Sequence, residues 1–142
     1  MATLQQTPQA EQAQQTISRS TSIMRTVYLV IACIFLAGLF LQLFFAGVGV
    51  FLGQWGTHVS FGRPFGVVTV LLLIGAFAGR LPARQIWLTA LLIPLYALQV
   101  LLIELPGRLG VIILSALHPV NAGLMLWITV LLVRWAWKAS RS

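Results

Sequence analysis

The stretch from Val111 to Val133 reads VIILSALHPVNAGLMLWITVLLV. It is apolar almost throughout, carries no formal charge, and exceeds the ~20 residues that a helix needs to cross a bilayer. Its exceptions are His118 and Asn121. An ionisable side chain at membrane depth must face a protein interior, a water pocket or a ligand, so it marks a functional site by default. The other histidine of the chain, His58, opens a second apolar run. Two imidazoles on two spans point to a bound metal centre.

Working outward, three more apolar stretches stand out: Thr26 to Leu52, His58 to Gly79 and Ile86 to Leu105, with the last running from Gly110 to Val133. The 142 residues are 59% apolar and 8% charged, far from the charge content of an ordinary soluble domain or a disordered chain. Only helices satisfy their own backbone within lipid, and these runs lack the alternation of barrel strands. The expected fold is therefore an all-α membrane protein of four transmembrane helices, with the lipid bilayer as its first partner.

The net charge of +7 reports topology. Arg19, Arg25, Arg80, Arg84, Arg134, Lys138 and Arg141 fall on one side of an up-and-down arrangement, and only Arg63 and Arg108 toward the other. By the positive-inside rule both termini are expected in the cytoplasm, and no nucleic-acid partner is needed to explain the charge. Residues 1–24, rich in Gln, Thr, Ser and Ala, form a polar tail with too little apolar surface to fold alone. They lack the basic start and short apolar core of a signal peptide. The transmembrane domain is expected over 25–135, followed by a basic cytoplasmic end at 136–142. Cys33, alone and mid-span, reads as packing.

The connections are short: Gly53 to Thr57, Arg80 to Gln85 and Pro106 to Leu109. Short loops force antiparallel neighbours, which makes an up-and-down bundle with both histidines toward its outer end. Gly38, Gln42 and Ala46 recur every four residues on the first span, and His58, Gly62 and Gly66 on the second. Such stripes admit either a closely packed neighbouring helix or a planar macrocycle against the backbone. Pro64, Pro94 and Pro119 interrupt spans, and Pro119 predicts a kink beside His118 that frees the carbonyl of Ser115.

The polar inventory within the spans is small. Thr69, Thr89, Ser115 and Thr129 can bond to their own helices, while Gln42 and Gln99 are expected to face inward. Interhelical hydrogen bonding accounts for both glutamines and, in its simplest form, for His118 as a neutral structural imidazole. The only carboxylates are Glu11 and Glu104, so no paired-acid site can be built, and two His with one Cys fall short of a zinc site. A haem iron asks for only one or two axial imidazoles with apolar walls. Arg63 and Arg108 are candidates to meet its propionates, or else are interfacial charges that solvate themselves.

The segment from Leu98-Gln99-Val100-Leu101-Leu102 through Ala116-Leu117-His118-Pro119-Val120-Asn121-Ala122 resembles the last two helices of one half of the haem A synthase family, in which a Gln-containing helix precedes one bearing Leu-His-x-x-x-Ala. The second span, with His58 followed by small residues, is similar to the helix that carries the partner histidine. The likeness follows all four spans and is specific around His118. The His-Pro-Val-Asn element also resembles a family of small four-span bacterial membrane proteins, which implies a bacterial cytoplasmic membrane and no particular activity. The synthase has two such halves and a His-Arg pair where this chain has His58-Val59, and the first outer loop here lacks an acidic residue. These departures argue against haem A synthesis. The resemblance implies one haem b near the outer leaflet, ligated by His58 and His118; Gln42, Gln99 and Asn121 are then expected to orient the ligands or line the pocket, with Gly62 and Gly66 on the stripe that would admit the macrocycle.

Depth is the obstacle. At 1.5 Å per residue, His118 lies ~24 Å above Arg134 and His58 ~33 Å above Arg80, a mismatch of ~9 Å that tilt, the Pro64 kink or snorkelling must absorb. His118 is thus the better-supported ligand, and His58 is conditional on its level. The leading expectation is a b-type cytochrome or haem carrier rather than an enzyme, serving a redox partner. The rival is a cofactor-free accessory subunit of a larger membrane complex; a transporter is disfavoured by the shortage of intramembrane carboxylates.

Overall fold

A computed structural model describes residues 8–140, with side chains from Arg19 onward. It contains five α-helices: α1 Pro8–Leu52, α2 Gly56–Gly62, α3 Phe65–Ala78, α4 Ala83–Leu109 and α5 Leu117–Ala139, with a short 3₁₀ helix, Ile112–Ala116, before α5. No strand occurs among the described residues. Four segments are long and apolar enough to cross a membrane: Arg19–Leu52, Gly56–Ala78, Ala83–Leu109 and Ile112–Ala139. α1 borders α3 and α5, and α4 borders the same two, so the spans form a four-membered ring with the second and fourth on one diagonal.

α1 begins well inside the Gln-rich stretch. Pro8 occupies a first helical position, where its missing N–H costs nothing, and Ala10, Glu11, Gln12, Ala13, Gln14 and Gln15 are good helix formers. No element boundary therefore falls at residue 24; residues 1–7 of the expected tail lie outside the described residues. At the other end α5 runs on to Ala139.

Two connections end helices in the same way. Gly53 (φ 70°) follows α1 and Gly110 (φ 72°) follows α4, both left-handed, a conformation in which a Cβ would crowd the backbone. Gly53 N–H donates to Gly49 O at 3.0 Å, and Val111 N–H to Pro106 O at 2.9 Å. α4 thus passes through Pro94 and Pro106, and the third connection begins at Gly110 rather than at Pro106. Pro119 falls in the first turn of α5, where the N–H it lacks has no intrahelical acceptor, so the kink expected beside His118 is replaced by a helix start. Pro64 does divide its span, separating α2 from α3.

The turn from α3 to α4 is a Schellman motif: Leu81 N–H donates to Ala76 O and Arg80 N–H to Phe77 O, both at 3.0 Å. Its left-handed position is held by Arg80 (φ 47°), the one non-glycine residue of positive φ among those described. Arg80→Gly is expected to raise stability by roughly 0.5–1 kcal/mol, measured as the unfolding midpoint in detergent micelles. A loss of stability would mean that the Arg80 side chain itself holds the turn.

The core occupies the half of the bundle that carries the termini. Tyr28, Phe35, Leu72, Leu92 and Leu132 are fully buried there, while Ile34, Val67, Trp87 and Trp127 face outward, as lipid-facing residues must. Thr69, Thr89 and Thr129 donate to carbonyls of their own helices, at Gly66, Gln85 and Met125. Because Thr89 spends its proton on Gln85 O, the 2.7 Å contact with Tyr28 is donated by the tyrosine. Arg25 Nε donates to Gly79 O at 3.1 Å, and Arg84 lies 4.6 Å from the Trp135 ring centre, which places basic residues of α1 and α4 at this end. Toward the opposite end burial falls away: from Phe40 to Gly62 only Gly49 is buried, and from Tyr96 to Val120 only Pro106.

Candidate cofactor site

The half-buried polar residues collect at that sparsely packed end. His58 lies in the first turn of α2, and its Nδ1 is 3.1 Å from the backbone oxygen of Gln42 on α1. His118 is the second residue of α5, and its Nδ1 is 3.0 Å from the backbone oxygen of Gln99 on α4. A carbonyl can only accept, so Nδ1 carries the hydrogen in both rings, and in the neutral form of such a ring the lone pair is on Nε2. A histidine that ligates a metal through Nε2 is commonly oriented in this way. The two rings meet edge-on across the diagonal, with centres 6.2 Å apart and planes at 65°.

The expected mismatch in depth is corrected by where the helices end. α3 stops at Ala78, just short of Arg80, whereas α5 continues past Arg134 to Ala139, so the two arginines are not on one level. Measured from the helix ends, both histidines stand about 30 Å up their spans. A long α5 and a second span broken at Pro64 bring together side chains whose counted heights had differed.

Around His118 the bonding is closed. Gln99 Nε2 donates to His118 Nε2 at 3.1 Å, and Asn121 Nδ2 donates to Gln99 Oε1 at 2.5 Å and to Leu95 O at 2.9 Å. The donor directions agree with one another: the amide of Asn121 sets the amide of Gln99, which presents its N–H to the ring. Around His58 the bonding is open. Trp55 packs edge-on at 5.9 Å between ring centres, and among the described residues no hydrogen bond reaches His58 Nε2. The Gln42 carbonyl oxygen Oε1 is buried without a partner.

The glycine stripes are filled by protein side chains. A Cβ on Gly62 would collide with Gln42 Nε2, and one on Gly66 would lie 2.7 Å from the Tyr96 ring. Gly38 receives Phe65 and Gly49 receives Trp55 in the same manner. Between the two readings of these stripes, the occupants are neighbouring side chains, and neither Gly62 nor Gly66 offers bare backbone to a macrocycle. The arginines stand apart. Arg108 pairs with Glu104 at 3.5 Å on the surface of α4, and Arg63 is exposed, its carbonyl accepting from Tyr96 Oη at 3.0 Å. No contact joins either guanidinium to an imidazole among the described residues. A cleft of about 630 Å³ beside α2 is lined by Gly56, Thr57, Ser60 and Phe61 and includes neither histidine.

Tyr96 is the contributor that sequence reasoning missed. Its hydroxyl bonds the carbonyls at the Pro64 break, and its ring covers Gly66. Its place three residues before Gln99, on one helical face, was the available signal. A second signal is internal: Leu-Gln-x9-Leu-Gly occurs at 41–53 and again at 98–110. Each copy supplies the glutamine whose carbonyl holds a histidine and the left-handed glycine that reverses the chain.

Residues 42–108 match a family of unknown function, DUF6220. The matched segment is just under half of the chain; it holds Gln42, His58 and Gln99 and stops before His118 and Asn121. No curated protein and no solved structure matches the chain, and none of these comparisons links it to haem A synthase.

Proposed function

We propose that this chain is a membrane-embedded b-type haem protein serving electron transfer or haem carriage, with His58 and His118 as axial ligands near the outer leaflet. In this reading the termini lie in the cytoplasm and the host is a bacterial cytoplasmic membrane. The observation that carries it is the imidazole pair, 6.2 Å between ring centres with both Nδ1 atoms held by backbone carbonyls. Two metal–nitrogen bonds of about 2 Å, with each ring's own radius added, set opposed imidazole centres about 6 Å apart. The spacing of the rings is that of two imidazoles on one iron, and such an iron would require the Gln99 amide to leave His118 Nε2. When bound, the haem supplies one-electron chemistry.

The chain's own residues do the rest. The Gln42 and Gln99 carbonyls orient the rings and fix the tautomer in which Nε2 faces a ligand. The sparse packing around the imidazoles leaves a half-buried polar cluster for a ligand to cover. His58 and His118 would together hold the iron, and the chemistry it would supply there is one-electron transfer. The propionate role of Arg63 and Arg108 requires their side chains to turn inward from the surface.

A second reading has its own observation. Gln99 Nε2 already satisfies His118 Nε2, and a histidine bonded on both nitrogens is what a cofactor-free accessory subunit of a larger membrane complex would carry. The two readings separate on one spectrum. Purified from haem-sufficient cells, the full chain is expected to show a Soret band and reduced-minus-oxidised α and β bands of a b-type cytochrome. A folded protein without a Soret band would sink the haem reading and leave the accessory one.

A further inference from the structure

The two imidazoles are built alike but finished differently. The Leu-Gln-x9-Leu-Gly repeat makes Gln42 the counterpart of Gln99, and in each hairpin the glutamine carbonyl takes the histidine Nδ1. Three residues beyond the histidine the copies diverge: Asn121 follows His118, whereas Phe61 follows His58. Asn121 is buried, anchored on Leu95 O at 2.9 Å, and donates to Gln99 Oε1, which leaves the Gln99 N–H no direction but toward His118 Nε2 at 3.1 Å. Phe61 can donate nothing. The Gln42 Oε1 is accordingly unpartnered, and its amide nitrogen lies over Gly62 instead of the His58 ring.

We infer that Gln99, set by Asn121, is a latch on the ligating nitrogen of His118, and that His58 carries no such latch. The inference deepens the haem proposal and rests on it only for the identity of the ligand. Any electrophile that takes His118 Nε2 must first displace the Gln99 amide, while His58 Nε2 is available without displacement. Binding at the pair is thus opposed by one hydrogen bond, and that bond lies wholly on the α4–α5 side. Gln99 acts here as a positioning residue through its amide, separately from its backbone carbonyl, which every side-chain variant retains.

The test reads the rings directly. In full-length, haem-free protein with ¹⁵N-labelled histidine, both imidazoles are expected as the Nδ1–H tautomer, with His118 Nε2 displaced from His58 Nε2 in the direction of an accepted hydrogen bond. Gln99→Leu is expected to abolish that displacement and leave His58 unmoved; Gln99→Met repeats the measurement should the leucine variant fold poorly. Titrated with haemin, the Gln99 variant is expected to bind about tenfold more tightly than wild type, the worth of one hydrogen bond. Equivalent Nε2 signals in wild type, or a His118 signal unchanged by either variant, overturn the latch, as does weaker haemin binding by a well-folded variant. If the ring signals behave as expected and no form binds haemin, the latch stands and the haem reading falls.

Discussion

Phe35→Ala is expected to lower the stability of the bundle by about 2–3 kcal/mol, the cavity part of a large-to-small change. Phe35 is fully buried, and its ring meets Phe65 edge-on at 5.3 Å between centres. Phe65 in turn meets Phe61 at 5.6 Å, and Phe61 meets Phe45 at 5.3 Å. This run of rings leads from the packed core to the helix that carries His58. In lipid the transfer part of the penalty largely disappears, because the acyl chains are as apolar as the core; lost packing remains. The change is read as a shift in the unfolding midpoint in micelles. Ile34→Ala, one residue away but 63% exposed, is the comparison, expected to cost little. Equal losses at the two positions would show that the Phe35 ring stack does not hold α1 against α3. Loosening at Phe65 should also broaden the ¹⁵N signals of His58 more than those of His118, since only α2 hangs from this stack.

What could be read from the sequence follows from how each signal is written there. Four spans were legible because hydropathy and length are local properties, and the inward direction of Gln42 and Gln99 because lipid tolerates no other. Helix ends were not. Continuation through Pro106 depends on a left-handed Gly110 four residues on, and α5 outruns Arg134 because Ala136 is buried in the core and Trp135 packs against it. That same overrun is why a depth count anchored on arginines misjudged His58. The pairing of the histidines needed the ring order of the helices, a tertiary fact, whereas the duplicated Leu-Gln-x9-Leu-Gly was present in the sequence and its symmetry was too sparse to weigh without the carbonyl contacts that give it meaning. Gly62 and Gly66 illustrate the opposite limit: their spacing was plain, but only the positions of Gln42 and Tyr96 decide what covers them.

Replacing either histidine is expected to have the largest effect of all. If both imidazoles ligate one iron, His58→Ala and His118→Ala should each weaken haem retention by more than the 10–100-fold that loss of an outer-shell partner costs, because a metal–nitrogen bond goes with the ring. The two losses carry different structural consequences. His118→Ala strands the Gln99 amide N–H, since Gln99 Nε2 then faces a void while Asn121 still holds its Oε1; an unmade bond of that kind costs about 1–3 kcal/mol. His58→Ala strands nothing but a helix carbonyl that keeps its own backbone partner. Stability measured alongside haem content therefore separates ligation from folding: a His58 variant as stable as wild type and devoid of haem identifies a ligand. Exogenous imidazole supplied to His58→Gly and His118→Gly should restore the reduced-minus-oxidised bands in both if each ring serves as a ligand. A band that survives His58→Ala intact would leave His118 as the sole protein ligand, and one that survives His118→Ala would assign the iron to His58 alone, the imidazole whose Nε2 the protein leaves open.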